Sequence, residues 1–209
     1  MPSEILTNLR GRAPFNQRRS REAREVCHTL LQDPSFFALL QRIDADYAAG
    51  ARVDPCVCGG VFHSAPYPRK PRGGPRVWRE VEHRRQSFCC NRCRQRRTPR
   101  SLLYLGRRVY LGAVVVLGSA LRGTLSGRGL RELSVQLGVP RATLERWRAW
   151  WREGFVRTPF WQAHRGDFLP PLVVLPADLL ARFTATAPGC QLRQALRFLA
   201  PLSTVTEGR

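Results

Sequence analysis

"LRELSVQLGVPRATLERWRAWW", Leu130 to Trp151, reads as two short helices joined at a glycine. Leu130, Leu133 and Leu137 recur at helical spacing and form one apolar face. Gly138 permits a turn, Val139 plugs the gap between the helices, and Pro140 starts the second helix. In that helix Leu144, Trp147 and Trp151 repeat at i, i+3 and i+7 and belong to a core. The opposite face carries Ala142, Arg146 and Ala149, with Arg141 and Glu145 on its flanks. Those are the positions from which a packed helix can reach base edges in a major groove.

Helical patterning continues on both sides. "VYLGAVVVLGSAL", Val109 to Leu121, is the longest nearly continuous apolar run. Its length falls short of the ~20 residues needed to span a bilayer and suits a buried helix. Upstream, Ser20 to Gln32 places Val26, Leu30 and Leu31 toward one side. "DPSFFALLQRIDADYAAG" follows, with Asp33 as N-cap, Pro34 at the first helical position and Gly50 as the end. Phe36, Phe37, Leu40, Ile43 and Tyr47 face inward at helical spacing. Beyond the central pair, residues 155–209 hold apolar clusters broken by prolines and predict short covering helices. Residues 1–17 read as irregular.

Residues 54–100 change character. Gly, Pro, Cys and Arg dominate and helix periodicity disappears. "PYPRKPRGGP", 66–75, has the turn chemistry of a loop, and "RVWREVEHRRQSF" alternates loosely and predicts strands. The segment is too poor in apolar residues to fold by burial alone, so it needs a staple. The cysteines supply one. Cys56 and Cys58 lie in "DPCVCGG", and Cys90 and Cys93 in "FCCNRC", about thirty residues further on. Two close pairs at that separation have the spacing of a zinc ribbon, one structural Zn²⁺ held between two turns. Cys89 competes with Cys90 for a ligand place, and His63 and His83 are alternative ligands. Four thiolates close the coordination shell, so the site is structural rather than catalytic. Cys27 and Cys190 sit in helical, apolar contexts and read as core residues.

The chain has 209 residues and a formal net charge of +20, and Lys70 is its single lysine among 35 basic residues. Such an excess self-repels unless a polyanion neutralises it, and the planar fork of arginine suits phosphate and guanine. Arg92, Arg94, Arg96, Arg97 and Arg100 radiate from the second cysteine turn, with no acid between 88 and 100 to offset them. They are the candidate phosphate contacts. Arg141, Ala142, Glu145 and Arg146 are the candidate base contacts. The partner expected from this charge is nucleic acid, and the helix pair at 130–151 makes double-stranded DNA the first expectation.

A two-metal nuclease or recombinase core needs converging carboxylates. The chain has only 15 acids, and after Glu153 only Asp167, Asp178 and Glu207 remain. No Gly-rich phosphate loop, HExxH motif or nucleophile elbow is present. No catalytic residue is assigned, and a non-enzyme is expected. The N-terminus lacks an apolar signal region, which predicts a cytoplasmic protein without membrane contact.

The 130–151 stretch resembles helix-turn-helix segments of transposases and their relatives, whose pattern is roughly "xxLAxxLGVSxxTLxRWxxxW". Ser134 stands where alanine is common, and Pro140 replaces the usual capping serine. A zinc ribbon ahead of such a unit also resembles the DNA-binding region of insertion-sequence transposases, over residues 54–152. The resemblance implies a mobile-element-associated DNA-binding protein that positions a recombinase or transposase, or regulates its own locus. A minimal transposase or nuclease subunit acting with a partner, and an RNA-binding or assembly subunit, are the alternatives. The expected fold is mainly α: a helical region over 1–53, a zinc ribbon with a basic knuckle over 54–100, a helix-turn-helix over 101–154 and a helical covering segment over 155–209.

Overall fold

The computed structural model describes residues 25–204, apart from 81, 106–108, 123, 124, 126 and 186. The irregular stretch expected over 1–17 and the helix start expected at Ser20 lie outside the described residues. The fold is mainly α, with small antiparallel sheets inserted between its second and fourth helices.

Helix α1 runs to residue 32. Asp33 ends it and caps helix α2 (Pro34–Val53), accepting a 2.8 Å hydrogen bond from the Ser35 N–H, with Pro34 at the helix start. Leu31, Phe36, Phe37 and Leu40 are buried, as their spacing predicts, whereas Val26 is exposed. Gly50 does not end α2, which continues to Val53. The carbonyls of Ala51, Asp54 and Pro55 are met instead by the guanidinium of Arg97, at 3.0, 2.9 and 3.2 Å. A helix end satisfied from outside needs no glycine cap.

The inserted unit contains strands β1 (Phe62–Ser64), β2 (Tyr67–Arg69), β3 (His83–Arg85), β4 (Phe88–Cys90) and β5 (Arg96–Arg97), with a short helix α3 (Arg76–Glu80). One sheet has the order β1-β4-β5, and β2 pairs with β3 in the other. Two expectations need correction here. Residues 67–69 are a strand rather than loop, because β3 completes their hydrogen bonding. Residues 76–80 are helical rather than extended, because Trp78 alone of that turn is buried, against Phe37. Gly73 and Gly74 hold φ of +76° and +77°. A Cβ on them would sit 2.9 Å from the Val114 methyl carbons and 2.8 Å from Leu111 Cδ1, so the loop lies directly on the next core helix.

That helix is α4 (Gly112–Arg122), with Ala113, Val114, Val115 and Val116 essentially inaccessible. Helices α5 (Gly127–Leu137) and α6 (Arg141–Ala149) pack against it. The turn between them places Gly138 at φ +60° and buries Val139 completely. Ser134 Oγ donates to the Val139 carbonyl at 2.7 Å, which gives the serine a structural task at this turn. Pro140 precedes α6 as its N-cap rather than forming its first residue, and offers no side-chain acceptor. Leu144, Trp147 and Trp151 are buried as expected. The helix runs on into a π turn (Trp150–Gly154). Short helices α7 (Pro159–His164), α8 (Ala177–Arg182) and α9 (Pro188–Leu199) then cover the core with Trp161, Leu179, Leu192 and Leu196.

Among the described residues no helix is long and apolar enough to cross a membrane.

Candidate metal centre and the basic surface around it

The small unit packs on the end of α2 through a separate apolar cluster of five buried residues: Ala48 of α2 with Cys56, Phe62, Phe88 and Cys90. Two of the five are thiols, so burial alone contributes little, and the sulfurs must do more than fill space.

Both cysteine turns are shaped by backbone. In the first, Gly59 N–H donates to the Cys56 carbonyl at 2.8 Å and Cys56 N–H to the Gly60 carbonyl at 3.1 Å. Gly59 has φ +73°, and a Cβ on Gly60 would lie 2.6 Å from Cys90 Sγ and 2.8 Å from Asn91 Oδ1. In the second, Cys90 N–H donates to the Gln95 carbonyl at 3.0 Å and Arg94 takes φ +58°, unusual for a side chain of its size. Asn91 locks the turns together. Its N–H donates to the Val61 carbonyl and its Oδ1 accepts from the Val61 N–H, both at 3.0 Å.

This geometry brings Cys56, Cys58, Cys90 and Cys93 together, with all four Sγ atoms within 4.8 Å of one another. Cys56–Cys93 and Cys58–Cys90 are each 3.5 Å apart. A tetrahedral metal with metal–sulfur bonds of about 2.3 Å sets its sulfurs about 3.8 Å apart, which falls inside this range. The four thiols can therefore hold one metal ion. Cys89 is not among them. In β4 it pairs with His63 and Arg96, while Cys90 pairs with Phe62. Strand alternation turns the Cys89 sulfur to the other face, toward the Arg94 carbonyl at 3.5 Å. His63 is exposed, and His83 is committed to Trp78, so neither alternative ligand joins the set.

Three of the four thiols, Cys58, Cys90 and Cys93, depart from the ordinary thiol value. Burial raises Cys90, but the N–H groups of Cys93 and Arg92 aimed at its sulfur win and bring it down to about 6. The Gly60 N–H holds Cys58 below the usual thiol value. The Gln95 N–H lowers Cys93, but the neighbouring Cys58 and Cys56 sulfurs outweigh it and push Cys93 up to about 12. Backbone donors converging on sulfur are the outer shell that thiolate ligands use, and they favour the ionised form at Cys58 and Cys90. A divalent cation removes the repulsion among them.

Of the five arginines around the second turn, Arg92, Arg94, Arg96 and Arg100 are exposed. Arg97 is half-buried, with three bonds to backbone and its guanidinium 4.1 Å over the Phe62 ring. Its donors serve the fold, a role its place in an arginine run does not signal. Earlier in the unit, Arg76 of α3 pairs with Glu80 at 2.6 Å, and Arg69 of β2 lies 4.9 Å over Tyr104. On α6, Arg141, Ala142, Arg146, Arg148 and Ala149 are exposed and Glu145 is half-buried. Arg146 Nη2 donates to Thr143 Oγ1 at 2.9 Å, which fixes its direction from the helix.

Among the described residues the cysteine set is the sole group of three or more His, Cys, Asp or Glu side chains near enough to share a metal. Asp167 pairs with His164 at 3.1 Å, and Asp178 Oδ2 accepts from the N–H groups of Val173 and Val174. Cys27 is half-buried against the core and its thiol is pushed up to about 11 by burial. Comparison of the chain with protein-family models, curated proteins and solved structures finds no match.

Proposed function

We propose that the protein binds double-stranded DNA through a zinc ribbon and a helix-turn-helix, without catalysing a reaction itself. The observation that carries this reading is α6. Its inner face is locked by Leu144 and Trp147, and its outer face presents Arg141, Arg146 and Arg148 beside the small Ala142 and Ala149. Long donors next to small residues let a helix enter a groove and reach base edges.

The cysteine set complements this. Four thiolates with tetrahedral spacing select Zn²⁺ over harder cations, and one zinc folds the inserted unit. Arg92, Arg94, Arg96 and Arg100 then stand on a rigid turn and lose less entropy on meeting phosphates than arginines on a loose tail. The net charge of +20 supplies the long-range attraction. The resemblance of 54–152 to the DNA-binding region of insertion-sequence transposases sets the context as mobile DNA: this chain positions a recombinase or regulates its locus.

The test is selection of a site from a random duplex pool, followed by variants. Arg146→Ala is expected to cost ~1–3 kcal/mol on the selected site and far less on random DNA. Arg94→Ala is expected to weaken all duplexes alike. Failure of the selection to enrich a motif, with the two variants equivalent, would leave a nonspecific or RNA-directed polyanion binder. Metal-dependent nicking that vanishes on changing Asp167 or Asp178 would make the chain a nuclease subunit.

A further inference from the structure

A cleft of about 390 Å³ opens beside α2, α3 and β3, lined by Gln41, Trp78, Glu82, His83, Arg84 and Gln86. Four of these, Gln41, His83, Arg84 and Gln86, also line an adjoining recess of about 110 Å³. The indole of Trp78 is buried, and the imidazole of His83 stacks on it, with centroids 4.6 Å apart and planes within 7°. His83 Nε2 lies 2.8 Å from the Trp78 carbonyl oxygen. A carbonyl only accepts, so Nε2 carries a proton, and in the neutral ring Nδ1 is left as an acceptor. The ring is thus pinned in plane and tautomer, and it remains partly accessible.

The groups around it are mixed. Gln41 and Gln86 are exposed amides that donate and accept, Arg84 donates, and Glu82 is an exposed carboxylate. The exposed carboxylate of Glu82 opposes a phosphate at this place. A flat ring rimmed by donors, acceptors and one carboxylate matches the face and edge of a nucleobase: the face stacks, the amides pair, and the carboxylate accepts from an exocyclic amino group. A paired base hides both its faces and its pairing edge, so only an unpaired one can enter.

We propose that this cleft takes an unpaired nucleobase, stacked on His83 with its edge toward Gln41, Gln86 and Glu82. As a feature of DNA binding, an overhang or extruded base, it rests on the reading above. A free nucleotide presents the same chemistry.

The test uses 2-aminopurine, as the free nucleoside monophosphate and as a one-nucleotide overhang on a hairpin duplex, titrated with the full chain. Saturable quenching of either probe is expected, weakened about five-fold or more in the variant Gln41→Ala/Gln86→Ala. That variant alters exposed residues and keeps the wild-type melting temperature and blunt-duplex affinity. Quenching of the overhang alone assigns the source to a nucleic-acid end; quenching of the free nucleotide at equal or lower concentration than the overhang assigns it to a nucleotide. Should blunt duplex not bind while the nucleotide is still quenched, the DNA reading falls and the cleft stands. Absence of saturable quenching of both probes, or equal quenching in the variant, overturns the cleft.

Discussion

Replacing Arg97 with alanine separates the fold-holding arginine from its neighbours. The guanidinium donates to three carbonyls at 2.9–3.2 Å and covers Phe62 at 4.1 Å. Hydrogen bonds from charged groups contribute roughly 1.5–3 kcal/mol each. These three share one half-buried group, so they do not add, and about 2 kcal/mol is the sensible total. The cation–π contact adds roughly 0.5–1 kcal/mol. A loss of about 3 kcal/mol lowers the melting temperature of a domain this size by roughly 6–12 °C. Arg94→Gly should do the reverse. At φ +58° an arginine is strained, and glycine recovers about 1 kcal/mol. Thermal melts of both variants, with salt titrations of duplex binding below the melting range, check this. Arg97→Ala should leave the salt slope intact, and Arg94→Gly should lower it by about one unit. The reasoning is refuted if Arg97→Ala melts like the parent and loses the unit of slope.

Other outcomes follow from the same geometry. Gly60→Ala places a Cβ 2.6 Å from Cys90 Sγ in the central strand, so metal retention against a chelator should fall sharply while the helical core still melts cooperatively. Cys93→Ser should abolish metal binding and open residues 54–100 to protease, whereas Cys89→Ser should retain the metal, both read by elemental analysis and limited proteolysis. Leu144→Ala should cost roughly 2–5 kcal/mol in denaturant unfolding. Cys27 should resist alkylation at pH 8 in the folded protein, because its raised pKa leaves almost no thiolate there, and react once unfolded.

Where helices bury one stripe, the sequence announced them. Phe36, Phe37 and Leu40, and Leu144 with Trp147, recur at helical spacing and are buried, while the valines of 114–116 are buried on every side as their unbroken apolar run predicts. Gly50 misled because a glycine is a local stop signal, while the real termination comes from Arg97, more than forty residues away. Helix α3 was hidden because five residues with a single buried Trp78 carry no period. The choice between Cys89 and Cys90 was legible in principle. Phe88 and Cys90 share a face of β4, and Cys89 points oppositely, once the strand is known. The cleft at His83 was not legible, since its walls come from α2, ahead of the cysteine unit, and from α3 and β3 inside it, about forty residues later in the chain.

Four thiols close enough to share one ion, in a unit too poor in apolar residues to fold by burial alone, imply a structural metal that folds residues 54–100. Elemental analysis of protein produced with ample zinc tests it most directly. About one zinc per chain, lost in Cys93→Ser and retained in Cys89→Ser, is the predicted result. Well-folded protein that carries no zinc would contradict it.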